Sequence, residues 1–299
     1  MELTTMDTLM NKAKGLAHPK RLVVPACADE HTLEAVVLAE REGVIAPIYI
    51  GNKRSTLEIL EKLGGNKENQ IVDEQDPDKA AALAVSMVRE GAADFLMKGN
   101  LNTANFLKPV LDKTNGLNTG RVLSHITMLE IPSYHKLLAI TDAAMLVQPS
   151  IEQKKGIIQN AVDMMRTLGY EKPKVAILCA AEEVNAKQPE TVEAEKLQKM
   201  AEEGAFGPCE VCGPISFDIA MDKEAADYKG FLHPVAGDCD IIVVPNLVAG
   251  NALVKALRQF ANAETAAAVM GAAAPIVLMS RATSAQNKFR AISLCAAIS

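Results

Sequence analysis

Short apolar runs of about five residues recur along the chain, and each gives way to a longer stretch with helical spacing. Arg21 to Ala26 leads into a helical pattern from about Thr32 to Glu42, and Ala46 to Ile50 leads into one from about Thr56. Asp94 to Met97 is followed by Thr103 to Leu111, and Lys136 to Ile140 by a loop and then Ile151 to Leu168. Lys174 to Cys179 precedes Thr191 to Ala205, Asp240 to Pro245 precedes Ala252 to Ala261, and Pro275 to Met279 precedes Ser284 to Ala297. A short strand followed by a helix, repeated, buries its apolar faces best as a mostly parallel sheet with crossover helices, so the expected class is α/β. With 299 residues and roughly 100–200 per domain, two lobes are expected. Gly204 to Asp218, with its glycines and prolines, reads as irregular or hairpin-like.

In such sheets ligands bind outside the carboxyl ends of the strands, where helix amino termini present free N–H groups and favour anions. The strand-to-helix loops therefore carry the candidate chemistry. Lys98, Gly99, Asn102 and Thr103 follow one strand and read as an anion cradle or as a turn with a capped helix. Ser280, Arg281, Thr283 and Ser284 follow another; Ser284 fits an N-cap, and the fork of Arg281 suits phosphate or carboxylate oxygens. Ala28 to Thr32 reads chiefly as an acidic helix start. In Asn246 to Asn251, Gly250 and Asn251 read as a close approach to a ligand or as capping.

Several other chemistries lose support. Lys plus Arg total 31 against 37 Asp plus Glu, and aromatics are 4% with no Trp, which opposes a nucleic-acid partner. Dinucleotide, P-loop, nucleophile-elbow and zincin motifs are missing. Cys209 and Cys212 form a lone pair without a second pair beside it, and the five His do not cluster, so no metal is expected. Six scattered Cys and no apolar leader segment point to a cytoplasmic chain with reduced thiols. The longest charge-free apolar run, Ala266 to Met279, is too short for a bilayer, so no membrane partner is expected.

Taken in order, Met97 to Thr103, Gly120 to Ser124, Thr141 with Asp142, Gln148 with Pro149, Gly213 to Asp218, Pro234 to Asp238, Val244 to Asn251 and Ala274 to Arg281 resemble the phosphate acetyl/butyryltransferase family. The compact length and the Ser280 to Ala282 sequence look more like its butyryl branch. The resemblance implies a fold like the isocitrate and isopropylmalate dehydrogenases. It implies a discontinuous first lobe (1–143 plus 268–299), a second lobe (144–267) carrying dimer contacts, and a homodimer or higher homo-oligomer. It also implies acyl transfer between coenzyme A and inorganic phosphate in a ternary complex, with small-molecule substrates and no cofactor, since the coenzyme A thioester is itself a substrate.

By the same resemblance, Arg281 and Arg121 would carry phosphate and oxyanion charge, and Ser280 would donate to the thioester. Lys98, Gly99, Asn102, Thr103, Thr283 and Ser284 would hold phosphate or acyl phosphate. Two departures stand out. The acetyl branch has a carboxylate seven residues after the serine, where this chain has Asn287, and a histidine at about Asn102. Asp218, Asp238 or Asn287 would then handle the thiol proton, unless a thiol pKa lowered by Arg281 suffices. The alternatives are an acetyl-specific member, a non-catalytic binder of coenzyme A or acyl phosphate, and a dehydrogenase on the same fold using Asp218, Asp222 and Asp238 for a metal.

Overall fold

The computed structural model describes residues 3–280 and 283–299; Arg281 and Ala282 lie outside the described residues. In chain order the elements are α1 (Met6–Lys14), β1 (Lys20–Pro25), α2 (Glu30–Arg41), β2 (Ile45–Gly51), α3 (Lys53–Leu63), β3 (Ile71–Asp73), α4 (Pro77–Arg89), β4 (Phe95–Met97) and α5 (Thr103–Val110). Next come β5 (Ser124–Glu130), β6 (Leu138–Thr141), α6 (Ile151–Thr167), β7 (Lys174–Leu178), α7 (Pro189–Glu202), β8 (Glu210–Ile215), α8 (Phe217–Met221), α9 (Lys223–Tyr228) and β9 (Ile241–Val243). The chain continues through α10 (Leu247–Phe260), β10 (Glu264–Met270), β11 (Ile276–Val277) and α11 (Ala285–Ile298). Among the described residues no helix is long and apolar enough to cross a membrane.

The chain divides into two compact units. The first is Asp7–Arg121 with Ala266–Ser299; the second is Val122–Thr265 with the start of the chain through Met6. The junctions thus fall at 121/122 and 265/266, where the sequence reading put them at 143/144 and 267/268. The reason is pairing: β6 lies parallel to β9, with Ile140 opposite Ile242, which ties residues 122–143 to the second unit.

In the first unit the strand order is β3-β2-β1-β4-β11-β10. Pairings β1–β2, β2–β3, β1–β4 and β4–β11 are parallel, and β10–β11 is antiparallel. Central strands of a parallel sheet are covered on both faces, which is why they read as unbroken apolar runs: Leu22, Val23 and Val24 are fully buried, as are Phe95 and Leu96. Helix α2 packs against α11, and α4 against α5. In the second unit the order is β5-β6-β9-β7-β8, parallel except for β5. Glu210–Ile215 is a strand there, which corrects the irregular reading of Gly204 to Asp218; its Gly213 and Pro214 are tolerated because β8 is the last strand in that order.

Most helices that follow a strand begin on a short polar cap. Asp29, Asn52, Asp76, Asn102, Asn246 and Ser284 each accept a backbone N–H of the following turn, and Ser150 with Gln153 forms a full capping box. These caps hold the helix amino termini at the carboxyl edges of the sheets.

Candidate functional site

In the first unit, β1, β2 and β3 step successively to one side, and the chain then returns through α4 to place β4 on the other flank of β1. The carboxyl ends of β1 and β4 therefore flank the point where strand order reverses, the usual crevice for a ligand in an open α/β sheet. Three loops meet there, since β11 lies beside β4 and runs the same way.

The Lys98 loop is built tightly. The Lys98 amide donates to Val277 O at 3.0 Å, and its buried ammonium donates to Gly99 O and Leu101 O, both at 3.1 Å. The cation thus organises the loop that carries it. The Asn100 amide donates to Ala26 O at 2.8 Å. A β-carbon on Gly99 would stand 2.2 Å from Pro25 O and 2.6 Å from Ala26 O. The close approach expected of this glycine is therefore made to the protein's own β1–α2 loop. Ala26 itself has φ of 49°, an uncommon conformation for a residue with a β-carbon and a mark of local strain. Asn102 caps α5 by accepting the Ala104 amide at 2.8 Å, and Thr103 is exposed in the first turn.

After β11, Ser280 is exposed and its carbonyl accepts the Thr283 amide at 3.1 Å. Ser284 caps α11 through the Asn287 amide at 3.3 Å, and Asn287 Oδ1 accepts Arg290 Nη1 at 2.8 Å. Arg281, assigned from the sequence, lies outside the described residues. Arg121 closes a segment that is tied to the turn before β11. Leu117 O accepts the Ala273 amide, the Thr119 hydroxyl donates to Gly271 O at 2.6 Å, and the Arg121 amide donates to Thr119. Gly271 and Ala273 belong to the turn before β11, whereas Ser280 follows it, so the backbone of Arg121 stands at the other end of that strand.

Sequence reasoning passed over Lys288. It is buried in α11 and donates to His31 O, in the first turn of α2, at 3.2 Å. Its signal was legible: with Ile292 and Cys295, both buried, it forms one apolar stripe, where a lysine is out of place.

The second unit holds the two carboxylates proposed for proton handling. Asp238 precedes β9, at the amino-terminal edge of the sheet; it is ion-paired with Lys136 and Lys174 and hydrogen-bonded to His135. Although burial opposes ionisation, these partners hold its carboxyl far below the usual range. That removes Asp238 as a base: it is a tether, on the edge away from the helix amino termini. Asp218 is in the first turn of α8, and hydrogen bonds from Ser216 and then Lys229 bring its pKa down to about 2. A carboxylate so stabilised is a poor proton acceptor at neutral pH. Asp222 caps α9. Among the described residues no cluster of three or more His, Cys, Asp or Glu is arranged to hold a metal.

A cavity of about 590 Å³ opens at the carboxyl ends of β7 and β9, bounded by Cys179, Phe217 and Asn246. Its buried Lys154 is ion-paired with Glu193, and Glu190 also lines it, so its lining carries more acid than base. The loops at the first unit's switch point carry cationic and hydroxyl side chains, which this cavity does not have in excess. Gly250, expected near a ligand, again meets protein: a β-carbon there would stand 2.7 Å from the Val244 side chain and 3.1 Å from Asp142 O. Asn251 donates to Ala143 O at 3.2 Å.

Sequence and structure comparisons show what the whole chain is similar to. The chain is 40% identical over 291 residues to a phosphate acetyltransferase of Thermotoga maritima, covering 97% of this chain and 98% of that one. It is 39% identical over 280 residues to a phosphate butyryltransferase of Clostridium acetobutylicum, covering 93% of each. Its fold matches a branched-chain phosphotransacylase from Enterococcus faecalis with a TM-score of 0.82 at 29% identity, over 93% of this chain and 98% of that one. A 4-hydroxythreonine-4-phosphate dehydrogenase from Salmonella typhimurium shares the fold alone, with a TM-score of 0.60 at 12% identity over 94% and 99%. The family described as "Phosphate acetyl/butaryl transferase" matches residues 58–296, and the chain belongs to that family.

Proposed function

We propose that this protein transfers a short acyl group between coenzyme A and inorganic phosphate, with butyryl favoured over acetyl, by direct attack in a ternary complex. In the phosphorolytic direction a phosphate oxygen attacks the thioester carbonyl carbon and a tetrahedral oxyanion forms. The carbon–sulfur bond then breaks with its electron pair on sulfur, coenzyme A leaves as a thiolate, and the proton of hydrogen phosphate passes to solvent, from which the thiolate is later protonated. Ser280, Arg281 and the amino end of α11 would meet the developing charge, and the Lys98 to Thr103 loop would hold the phosphoryl oxygens. With Asp218 and Asp238 firmly ionised and Asn287 bonded to Arg290, a thiol pKa lowered by Arg281 is the proton route we favour.

The observation that carries direct transfer is the state of the cysteines. All six are free, and burial pushes every thiol up: Cys179 to about 11, Cys212 and Cys239 to about 12, and Cys27, Cys209 and Cys295 in the same direction. A nucleophilic cysteine needs the opposite shift. The dehydrogenase alternative loses its metal set, because Asp238 and Asp222 are committed to a tether and a cap. The butyryl preference rests on the Ser280 to Ala282 sequence.

We also propose that the protein is a homodimer joined through the second unit. Helix α10 has Val248 74% and Phe260 84% exposed, and Tyr228 and Leu232 of the same unit are 95% and 88% exposed. Large apolar side chains left exposed on one unit suit contact with a second copy where they adjoin. Light scattering should give twice the chain mass, and a Val248→Glu, Phe260→Glu variant should give the chain mass. For the reaction, free thiol release from acetyl-, propionyl-, butyryl- and isobutyryl-CoA should depend on phosphate and be fastest with butyryl-CoA. Release with none of them from folded protein would sink the reading.

A further inference from the structure

Lys288 is poorly placed for stability. Its ammonium is buried, its hydrogen bond is to the His31 carbonyl, and it sits between the amino ends of α11 and α2, where both helix dipoles oppose a cation. A methionine would fill the same apolar stripe at less cost. Departures from local rules of this kind concentrate at functional sites. The lysine also joins two of the three loops at the first unit's switch point: Thr283 and Ser284 lead into its helix, and Ala26 to Asp29 lead into that of His31.

We infer that Lys288 is a positioning residue for phosphate: its buried ammonium pins the first turn of α11 to that of α2 and holds positive charge beneath the amino end of α11. This inference rests on the acyl-transfer reading above. The groups that face the ammonium are Asp29 and Glu34 on the α2 side, which favour its protonated form, and Asn287 and Arg290 are its neighbours on α11. Burial is the larger influence and lowers its pKa from the ordinary lysine value. The charged form is lost as pH rises through the lowered pKa.

The test uses the full-length protein and its Lys288→Met and Lys288→Arg variants, with melting temperature and phosphate-dependent thiol release measured between pH 6 and pH 10. Lys288→Met should melt no lower than the parent, yet lose about tenfold or more in kcat/KM for phosphate while KM for acyl-CoA moves little. The parent should lose activity on the alkaline side; Lys288→Arg, charged throughout, should keep activity and lack that fall. A Lys288→Met protein that melts lower and loses kcat without change in KM for phosphate would make Lys288 a packing residue and overturn the inference. So would one that matches the parent throughout. An inactive parent would instead fail the acyl-transfer reading itself.

Discussion

Replacing Gly99 by alanine tests the geometry of the Lys98 loop directly. The new β-carbon would lie 2.2 Å from Pro25 O and 2.6 Å from Ala26 O, and 2.9 Å from the Ala26 carbonyl carbon. All three atoms are backbone, so no side chain can swing aside. The loop must retreat by about 1 Å to restore ordinary contact, since carbon–carbon contacts are comfortable only near 3.5 Å or beyond. That retreat strains the Asn100 N–H to Ala26 O bond of 2.8 Å. Overpacking against a rigid neighbour costs about 1–3 kcal/mol, and the hydrogen bond about 1 kcal/mol more. A total near 3 kcal/mol should lower the melting temperature by about 6–12 °C. Because a misplacement of about 1 Å at a reacting site costs about a hundredfold in rate, kcat/KM should fall by about that factor. Gly43→Ala is the control: φ there is 74° with no atom within 4 Å of the added carbon, so it reads backbone strain alone and should leave activity intact. A Gly99→Ala protein melting within about 2 °C of the parent and turning over within about twofold would refute the reasoning.

Other outcomes follow from the ion pairs and thiols. Lys136→Met removes the ammonium that Asp238 and the buried Asp240 meet at 2.8 and 2.7 Å, leaving Asp238 with Lys174 and His135 and Asp240 buried without that cation. Breaking such a buried network should cost about 3–5 kcal/mol in denaturant unfolding, and a loss under about 1 kcal/mol would contradict the tether role. Asp218→Asn should leave the pH–rate profile between pH 5 and pH 9 unchanged. With a pKa near 2, below that of an unfolded aspartate, its contribution to stability is present above pH 4 and fades only as pH falls toward 2; loss of an acidic limb in the variant would restore Asp218 as a base. Iodoacetamide at pH 8 should leave native activity intact, because every thiol has a raised pKa; rapid inactivation would point to a nucleophilic cysteine.

The buried parallel strands were legible because burial on both faces leaves an unbroken apolar signature, as in Leu22 to Val24 and Ile241 to Val243. Strand β10 was not, because Thr265 to Val269 is mostly alanine, which has little strand preference of its own, and its neighbours decide it. Helix α4 passed unread although Asp76 and Pro77 open it with an N-cap and a first-turn proline. At the site, the loops after β4 and β11 were found from their polar residues, and their contacts decided the roles. Gly99 faces backbone, Lys98 serves its own loop, and Arg121 follows a segment bound to the turn before β11. Asp238 could not be placed from sequence because its partners Lys136 and Lys174 are brought to it only by strand order.

The division of the first unit has a consequence for how the protein is made. Strand β11 fills the place between β4 and β10, and it comes from a segment synthesised after the whole of the second unit. At about 5–20 residues per second, residues 122–299 take roughly 10–35 s to emerge, and through that time β4 has no partner on one side. An unpaired strand edge is a template for association with other chains. A nascent chain halted near residue 265 should therefore carry a finished second unit beside an adhesive first one, and should depend on chaperones far more than the released protein does.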